Sequence, residues 1–248
     1  LGCVVIKIAV AGISRNKSFI QTGAGVSVAE LLEWCIANNM SGLEWAGGLP
    51  GTIGGAVRGN AGAFRGEIKD STAEVFAINT RTLETKTWNA SECLFGYRTS
   101  IFKEKDGEWI IVRVAFRLVP GDKKNIRAMV EEKIAYRRAH QPLDYPNAGS
   151  VFKNVPFERF EKEIASLVAH KKKHDPFPVV PTAYLIGEAG LARVTCGGAM
   201  ISPKHANFIV NVRDASANDV KALITLAKNE VKQKFGVDLE EEIQILEN

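Results

Sequence analysis

Cysteine is scarce in this chain. Its four cysteines, Cys3, Cys35, Cys93 and Cys196, are scattered through 248 residues with neither metal-ligand nor redox spacing, so reduced thiols in a cytoplasmic protein are the economical reading. Long apolar runs are missing too: stretches such as Trp109 to Val112 fall far short of the roughly 18 residues that a membrane span needs. No cationic head precedes an apolar core at Leu1, so no signal peptide is expected. Neither sign of charge dominates, with 32 Lys and Arg against 28 Asp and Glu and a net charge of +4. That excess does not by itself indicate nucleic acid, and it leaves an anionic small ligand open. What is present, 46% hydrophobic and 24% charged residues with 22 glycines, is a globular composition. The length suits two cooperating domains or one large mixed domain.

The sequence opens directly on a strand candidate, Val4-Val5-Ile6, with no methionine or capping region before it, and a further upstream segment is expected. Ser27 and Glu30 read as a capping box ahead of Val28, Leu31, Leu32, Cys35 and Ile36, a helical spacing that should end near Asn38-Asn39. Between Val75 and Trp88, β-branched and aromatic residues are interrupted from Asn79 to Glu84, the pattern of a hairpin. Ile110, Val112, Val114, Phe116 and Leu118 alternate with Arg113 and Arg117, which predicts a strand with one buried face. Pro120-Gly121-Asp122 breaks it, and Ile126, Met129, Val130 and Ile134 then space out a helix that stops before Gln141-Pro142. A domain boundary placed here gives domains of 1–120 and 121–248.

The segment Phe157 to Pro181 carries Lys171-Lys172-Lys173-His174 and three prolines. It reads as an exposed helix plus a loop, an insertion at about 156–181 with little to bury. Asn207 to Val212 is a strand candidate. The last helix places Val220, Leu223, Ile224, Ala227, Val231 and Phe235 on one face between Ser216 and Gly236. A short terminal strand, Ile243 to Leu246, follows. Strands and helices do not alternate strictly, so the fold class is α+β.

Eight glycines lie between Gly47 and Gly66. Such density suits either a loop laid against a flat or phosphate-bearing ligand or a set of tight turns in a crowded sheet corner, and composition alone weighs the two evenly. The run has neither a Walker ending nor Rossmann flanks. Phe95-Gly96-Tyr97-Arg98-Thr99-Ser100 offers a guanidinium beside an aromatic ring. Asn147-Ala148-Gly149-Ser150-Val151-Phe152-Lys153-Asn154 offers a hydroxyl after a glycine, with an ammonium and an amide close behind. Taken singly, Arg98 is more often a surface ion-pair partner and Ser150 a turn or cap residue. Glu240-Glu241-Glu242 looks like a solvated acidic face, although in a strand Glu242 would point away from Glu241.

In their order, the run Gly47 to Gly66, Tyr97-Arg98, Ala148 to Asn154, Lys204 to Asn211 and Leu239 to Ile243 together closely resemble the UDP-N-acetylenolpyruvoylglucosamine reductases, flavoenzymes of bacterial peptidoglycan synthesis. The likeness runs from about Val4 to Leu246 and fails between about Val155 and Pro181. It implies a vanillyl-alcohol-oxidase-type FAD-binding domain followed by an α+β substrate-binding domain to which the terminal strand returns. It also implies a cytoplasmic, monomeric enzyme that uses FAD and NADPH on a UDP-sugar. By the same resemblance Pro50, Gly51, Thr52, Ile53, Gly54, Gly55 and Val57 line the flavin, with Arg137 near it. Arg98 and Glu242 polarise the enolpyruvyl carboxylate, Ser150 donates the proton, and Tyr97, Lys153, Asn154 and His205 meet the substrate. The short run from Val119 to Ser150 suggests the second type of the family, without a tyrosine-bearing loop.

This chemistry suits the residue types. Hydride arriving at the vinyl carbon pushes negative charge onto the neighbouring carbon and carboxylate, which a fixed guanidinium stabilises. Glu242 helps only if protonated or hydrogen-bonding, so its pKa is expected to be raised. Ser150 needs a nearby cation, for which Lys153 is the candidate. A flavin oxidase of the same fold has no need of a serine proton donor. A non-catalytic nucleotide-sugar or partner-binding protein is the other alternative. Nucleic-acid binding through Lys171 to Lys173 is weak because no aromatics interleave with the lysines. The family's pyrophosphate-cradling loop does not precede Leu1, so the 248 residues alone are expected to retain little FAD.

Overall fold

The computed structural model describes residues 6–16 and 18–246. Val4 and Val5 of the expected first strand lie outside the described residues, and Ile6 belongs to no regular element. The chain divides into two compact units, which meet in sequence at Arg137 and Arg138. The helix after the Pro120-Gly121 break therefore stays largely with the first unit. The reason is that its Ile126 and Val130 are buried in that unit's core.

In the first unit, strands β1 (Ile13–Arg15) and β2 (Ile20–Gly23) precede helices α1 (Val28–Ala37) and α2 (Ile53–Arg58). Strands β3 (Thr72–Asn79), β4 (Thr85–Asn89) and β5 (Trp109–Phe116) follow, and then helix α3 (Lys123–His140). The strands form one antiparallel sheet in the order β1-β2-β5-β3-β4. One face of the sheet joins Val75, Ala77, Val114 and Phe116 to Leu31 and Ile36 of α1, Ile53 and Val57 of α2, and Ile126 and Val130 of α3. Helix α1 begins where expected, with the Ser27 hydroxyl accepting the Glu30 N–H at 3.1 Å, one half of the capping box read from the sequence.

The alternation expected along β5 holds over only part of the strand. Val114 pairs with Val75 and Arg113 with Phe76, but the next partner of β3, Ala77, meets Ile111. Val112 is thus the extra residue of a β-bulge, and the buried face passes from Val114 and Phe116 to Ile111. The exposed face carries a hollow of about 150 Å³ lined by Gln21, Glu74, Phe76, Thr87 and Arg113, which contains none of the candidate site residues.

The second unit contains β6 (Asn147–Ser150), β7 (Val155–Pro156), α4 (Lys162–Val168), β8 (Lys173–His174), β9 (Pro178–Val180), α5 (Thr182–Glu188), β10 (Thr195–Cys196), β11 (Ala199–Ile201), β12 (Phe208–Asn211) and α6 (Ala217–Phe235). They make two antiparallel sheets, β6-β12-β11-β10 and β7-β9-β8. Helix α6 has a full capping box: Ser216 Oγ accepts the Asp219 N–H at 3.2 Å and the Asp219 carboxylate accepts the Ser216 N–H at 2.9 Å. Gly236, at φ 68°, ends the helix in the left-handed conformation. Leu223, Ile224, Val231 and Phe235 of α6 pack with Val151, Phe152, Ile201 and Ile209.

The structure differs from two expectations. The segment 156–181 does bury side chains, because Phe160, Val168 and Val180 belong to the second unit's core and β9 is the centre of a three-stranded sheet. Nor are its lysines only solvated: Lys172 lies over the Phe157 ring at 4.6 Å and Lys171 over Tyr184 at 5.5 Å. The terminal strand is not formed either. Among the described residues, Ile243–Leu246 holds no strand, and one antiparallel bridge, Glu241 to Phe152, lies just before it.

Candidate active site

In the first unit the glycine run packs closely against a helix at one place and leaves its backbone open at another. At Gly47 a side chain would bring its Cβ within 2.5 Å of the Val130 carbonyl oxygen, so glycine here lets the loop touch α3. That approach allows Arg137 to donate from Nε to the Gly47 carbonyl at 2.9 Å. Gly51 is different: its φ is +100° and nothing lies within 4 Å of where a side chain would begin, so it faces open space. Pro50, Gly51 and Gly55 are exposed and Thr52 and Gly54 half-buried, whereas the side chains of Ile53 and Val57 sit in the core. A ligand along this segment would therefore meet backbone, Pro50 and Thr52 and not the side chains of Ile53 or Val57. The first amide groups of α2 are already engaged, Ile53 N–H with Val26 O, Gly54 N–H with Ala24 O and Gly55 N–H with Thr52 Oγ1.

Arg137 is 8% exposed and its Nη2 is buried with no hydrogen-bond partner. Its guanidinium lies 5.3 Å from the centre of the Phe64 ring. Burial first, and the charge of neighbouring Arg98 second, push its pKa below the usual arginine value. A buried cation with an unsatisfied donor, beside a second cation, suits a flat group carrying negative charge. The residues present thus fit FAD.

Arg98 is held in an uncommon conformation. Gly96 and Thr99 exchange backbone hydrogen bonds of 3.1 and 3.3 Å across a tight turn whose corners are Tyr97 and Arg98. Arg98 has φ 57°, a left-handed value that costs a non-glycine residue roughly 1 kcal/mol or more. Its guanidinium lies 5.1 Å from the Tyr97 ring centre and its Nη2 donates to Gly62 O at 2.6 Å. Three residues that sequence reasoning did not single out hold this turn. Fully buried Asn60 donates from Nδ2 to Gly96 O at 2.8 Å, Ser100 Oγ donates to Arg58 O at 2.7 Å, and Lys103 Nζ donates to Arg98 O at 3.0 Å. For Asn60, the only signal was its place amid the glycines.

In the second unit Ser150 ends β6 directly after Gly149, which has φ +81°. Its hydroxyl is half-buried and makes no hydrogen bond among the described residues. The backbone beside it is anchored by Asn207, 2% exposed, which accepts the Phe152 N–H at 3.0 Å and donates to the Phe152 carbonyl at 2.8 Å. The chain's end comes to the same place: Glu242 N–H donates to Val151 O at 2.8 Å and Lys153 N–H to Glu240 O at 2.9 Å. The acidic run is therefore divided in use. Glu240 pairs with the Lys153 ammonium, Glu241 takes Lys228 of α6 at 2.6 Å, and Glu242 is the half-buried member carried beside Val151.

Lys153 is accordingly shared with Glu240, which weakens it as a cation dedicated to Ser150. Asn154 turns its Oδ1 toward Thr182 N–H, 3.1 Å away, at the start of α5. His205 packs edge-on against Phe208, with ring centres 4.8 Å apart, and its Nδ1 is buried without a partner. Burial, aided by Lys173 and His140, holds its pKa below the ordinary histidine value. A neutral imidazole is a hydrogen-bonding group, not a charge, toward any ligand. Among the described residues no cluster of His, Cys, Asp and Glu could hold a metal ion, and no helix is long and apolar enough to cross a membrane.

Comparison with known proteins agrees with the chain's motifs. The profile described as UDP-N-acetylenolpyruvoylglucosamine reductase, C-terminal domain, matches residues 141–246, and that of an FAD binding domain matches residues 2–79. The UDP-N-acetylenolpyruvoylglucosamine reductase of Carboxydothermus hydrogenoformans is 43% identical over 223 residues, which cover 90% of this chain and 66% of that protein. That of Syntrophus aciditrophicus is 36% identical over 253 residues, covering 99% of this chain and 73% of the relative. The crystal structure of UDP-N-acetylenolpyruvylglucosamine reductase from Thermus caldophilus superposes with a TM-score of 0.71 at 30% identity, covering 90% of this chain and 71% of that one. The chain thus spans between 66% and 73% of the length of these relatives. On this identity and coverage, the chain belongs to the UDP-N-acetylenolpyruvoylglucosamine reductase family.

Proposed function

We propose that the protein reduces the enolpyruvyl group of UDP-N-acetylenolpyruvoylglucosamine to UDP-N-acetylmuramate, with NADPH as reductant, in the cytoplasmic supply of peptidoglycan precursors. One observation carries the reading furthest. The backbone bonds of residues 240–242 to residues 151–153 set the half-buried Glu242 beside the loop of Ser150, so two distant motifs of the sequence share one place.

When bound, FAD supplies a two-electron carrier that takes hydride from NADPH and gives it to the vinyl carbon of the sugar. The exposed backbone at Pro50, Gly51 and Gly55 and the buried guanidinium of Arg137 would hold it. Each remaining step belongs to the chain's side chains. Arg98, fixed in its turn, stabilises the negative charge that develops on the substrate's carboxylate and adjacent carbon; a preorganised donor of this kind is worth about 3 to 4 kcal/mol. Ser150 Oγ, with no competing hydrogen bond among the described residues, delivers its proton to that carbon. Glu242 orients the carboxylate as a hydrogen-bonding carboxyl. Tyr97, Lys153, Asn154 and His205 would meet the substrate, a neutral His205 by a hydrogen bond to the nucleotide sugar. NADPH and the sugar would occupy the site in turn.

The test is Ser150→Ala in the FAD-loaded full-length protein. Reduction by NADPH should be nearly unchanged, while reoxidation by the enolpyruvyl sugar should slow by about 100- to 10,000-fold, the usual cost of losing a general acid. Equal slowing of both half-reactions would remove Ser150 from the role.

A further inference from the structure

The turn bearing Arg98 has a support that the reaction scheme does not use. Lys103 lies on the helical turn Ile101–Glu104, seated by the buried Phe102. Its ammonium donates to the carbonyl of Arg98 at 3.0 Å. That carbonyl belongs to a residue at φ 57°, in a position of a two-residue turn that ordinarily takes glycine or asparagine. With L-residues the peptide favours the opposite hand, and rotation there would swing the guanidinium away from Gly62 O, its 2.6 Å partner. A charge-assisted hydrogen bond to the carbonyl opposes that rotation. Asn60 fixes the other side of the turn through Gly96 O at 2.8 Å.

We infer that Lys103 is a positioning residue for Arg98, holding the turn in the left-handed conformation that aims the guanidinium. The inference rests on the reading of Arg98 as the group that stabilises substrate charge. On this inference Lys103 acts on that charge through Arg98. Its effect passes through the backbone of Arg98, so it must vanish when the Arg98 side chain is removed.

The experiment uses the FAD-loaded full-length protein and four variants: Lys103→Met, Lys103→Arg, Arg98→Ala and the double variant Lys103→Met/Arg98→Ala. Anaerobic half-reactions are measured separately, with the melting temperature and flavin content of each. Lys103→Met should slow reoxidation by the enolpyruvyl sugar about 10- to 100-fold, the scale of a misplaced catalytic group. Reduction by NADPH should stay within about 2-fold of the parent in the same experiment. Lys103→Arg, which can donate to the same carbonyl, should recover most of the rate. The double variant should be no slower than Arg98→Ala alone. A crystal structure of Lys103→Met should show residue 98 departing from its left-handed φ.

An unchanged φ at residue 98, an unchanged reoxidation rate, or a Lys103→Met effect that persists undiminished beside Arg98→Ala overturns the inference. Equal loss in both half-reactions with a lowered melting temperature also overturns it, since that is the mark of a merely structural lysine. If Arg98→Ala itself leaves reoxidation unchanged, the role of Arg98 fails, and that result is distinct from a failure confined to Lys103.

Discussion

Replacing Asn207 by alanine removes both side-chain bonds that hold Phe152, the 3.0 Å bond to its N–H and the 2.8 Å bond to its carbonyl. Phe152 is 1% exposed and Asn207 2% exposed, so water cannot replace the lost partners without opening the second unit's core. A buried backbone group left unsatisfied costs about 1 to 3 kcal/mol, and two of them cost roughly 2 to 6 kcal/mol. With about 2 to 4 °C lost per kcal/mol in a chain of this length, a mid-range cost of about 3 kcal/mol lowers the melting temperature by about 6 to 12 °C. Asn207→Asp should fall between the parent and Asn207→Ala, because the carboxylate keeps the acceptor for Phe152 N–H but sets a charge against the carbonyl. Asn211→Ala is the control: its side chain is half-buried and accepts one bond, from Ala215 N–H at 3.0 Å, worth about 0.5 to 1.5 kcal/mol. The assay is thermal unfolding followed by circular dichroism, with reoxidation kinetics beside it, since Ser150 sits on the loop that Asn207 anchors. If Asn207→Ala lowers the melting temperature no more than Asn211→Ala, these two bonds do not hold the loop and the reasoning is refuted.

Arg98→Lys keeps the charge but loses the planar fork, so it should depress reoxidation by the sugar more than Glu242→Gln does; an unaltered turnover in stopped-flow absorbance would return Arg98 to the surface. Phe160→Ala should cost about 3 to 4 kcal/mol by urea denaturation, because Phe160 is 7% exposed within the second core, and a neutral result would restore the view of 156–181 as dispensable. Burial pushes the thiols of Cys35 and Cys93 up to about 12, so iodoacetamide at pH 8 should label neither in the native protein and both after denaturation, as read by peptide mass mapping. The pKa of His205 is depressed by burial, so the unfolded state binds the extra proton and stability is lost as pH falls through the unfolded value of about 6.5. His205→Gln should therefore flatten the decline in melting temperature between about pH 7 and 5, and an identical decline in parent and variant would contradict a neutral, buried imidazole.

Elements whose signals are local were legible in the sequence. Ser27 and Glu30 before α1, the interrupted run of the β3–β4 hairpin, and Ser216, Asp219 and Gly236 around α6 all specify their caps and turns within a few residues. What the sequence hid depends on contacts between distant residues. The bulge at Val112 follows from pairing with β3 and leaves no mark on the alternation of apolar residues. The core role of Phe160 and Val168 was masked by the lysines that follow them, whose ammonium groups rest on Phe157 and Tyr184. At the site, the motifs named Arg98, Ser150 and Glu242, but their supports did not stand out. Asn60, Asn207 and Lys103 act on backbone carbonyls and amides, and such a role is shared by so many polar residues that the residue type alone does not mark it.

The proposed activity requires that one bound flavin connect NADPH to the enolpyruvyl sugar. It is tested most directly by anaerobic double-mixing stopped flow on the FAD-loaded full-length protein, in which the flavin is first bleached with NADPH and then met with UDP-N-acetylenolpyruvoylglucosamine or with buffer. Rapid return of the oxidised flavin absorbance is expected with the sugar alone, accompanied by UDP-N-acetylmuramate in stoichiometric amount. Bleached flavin that the sugar reoxidises no faster than buffer would contradict it.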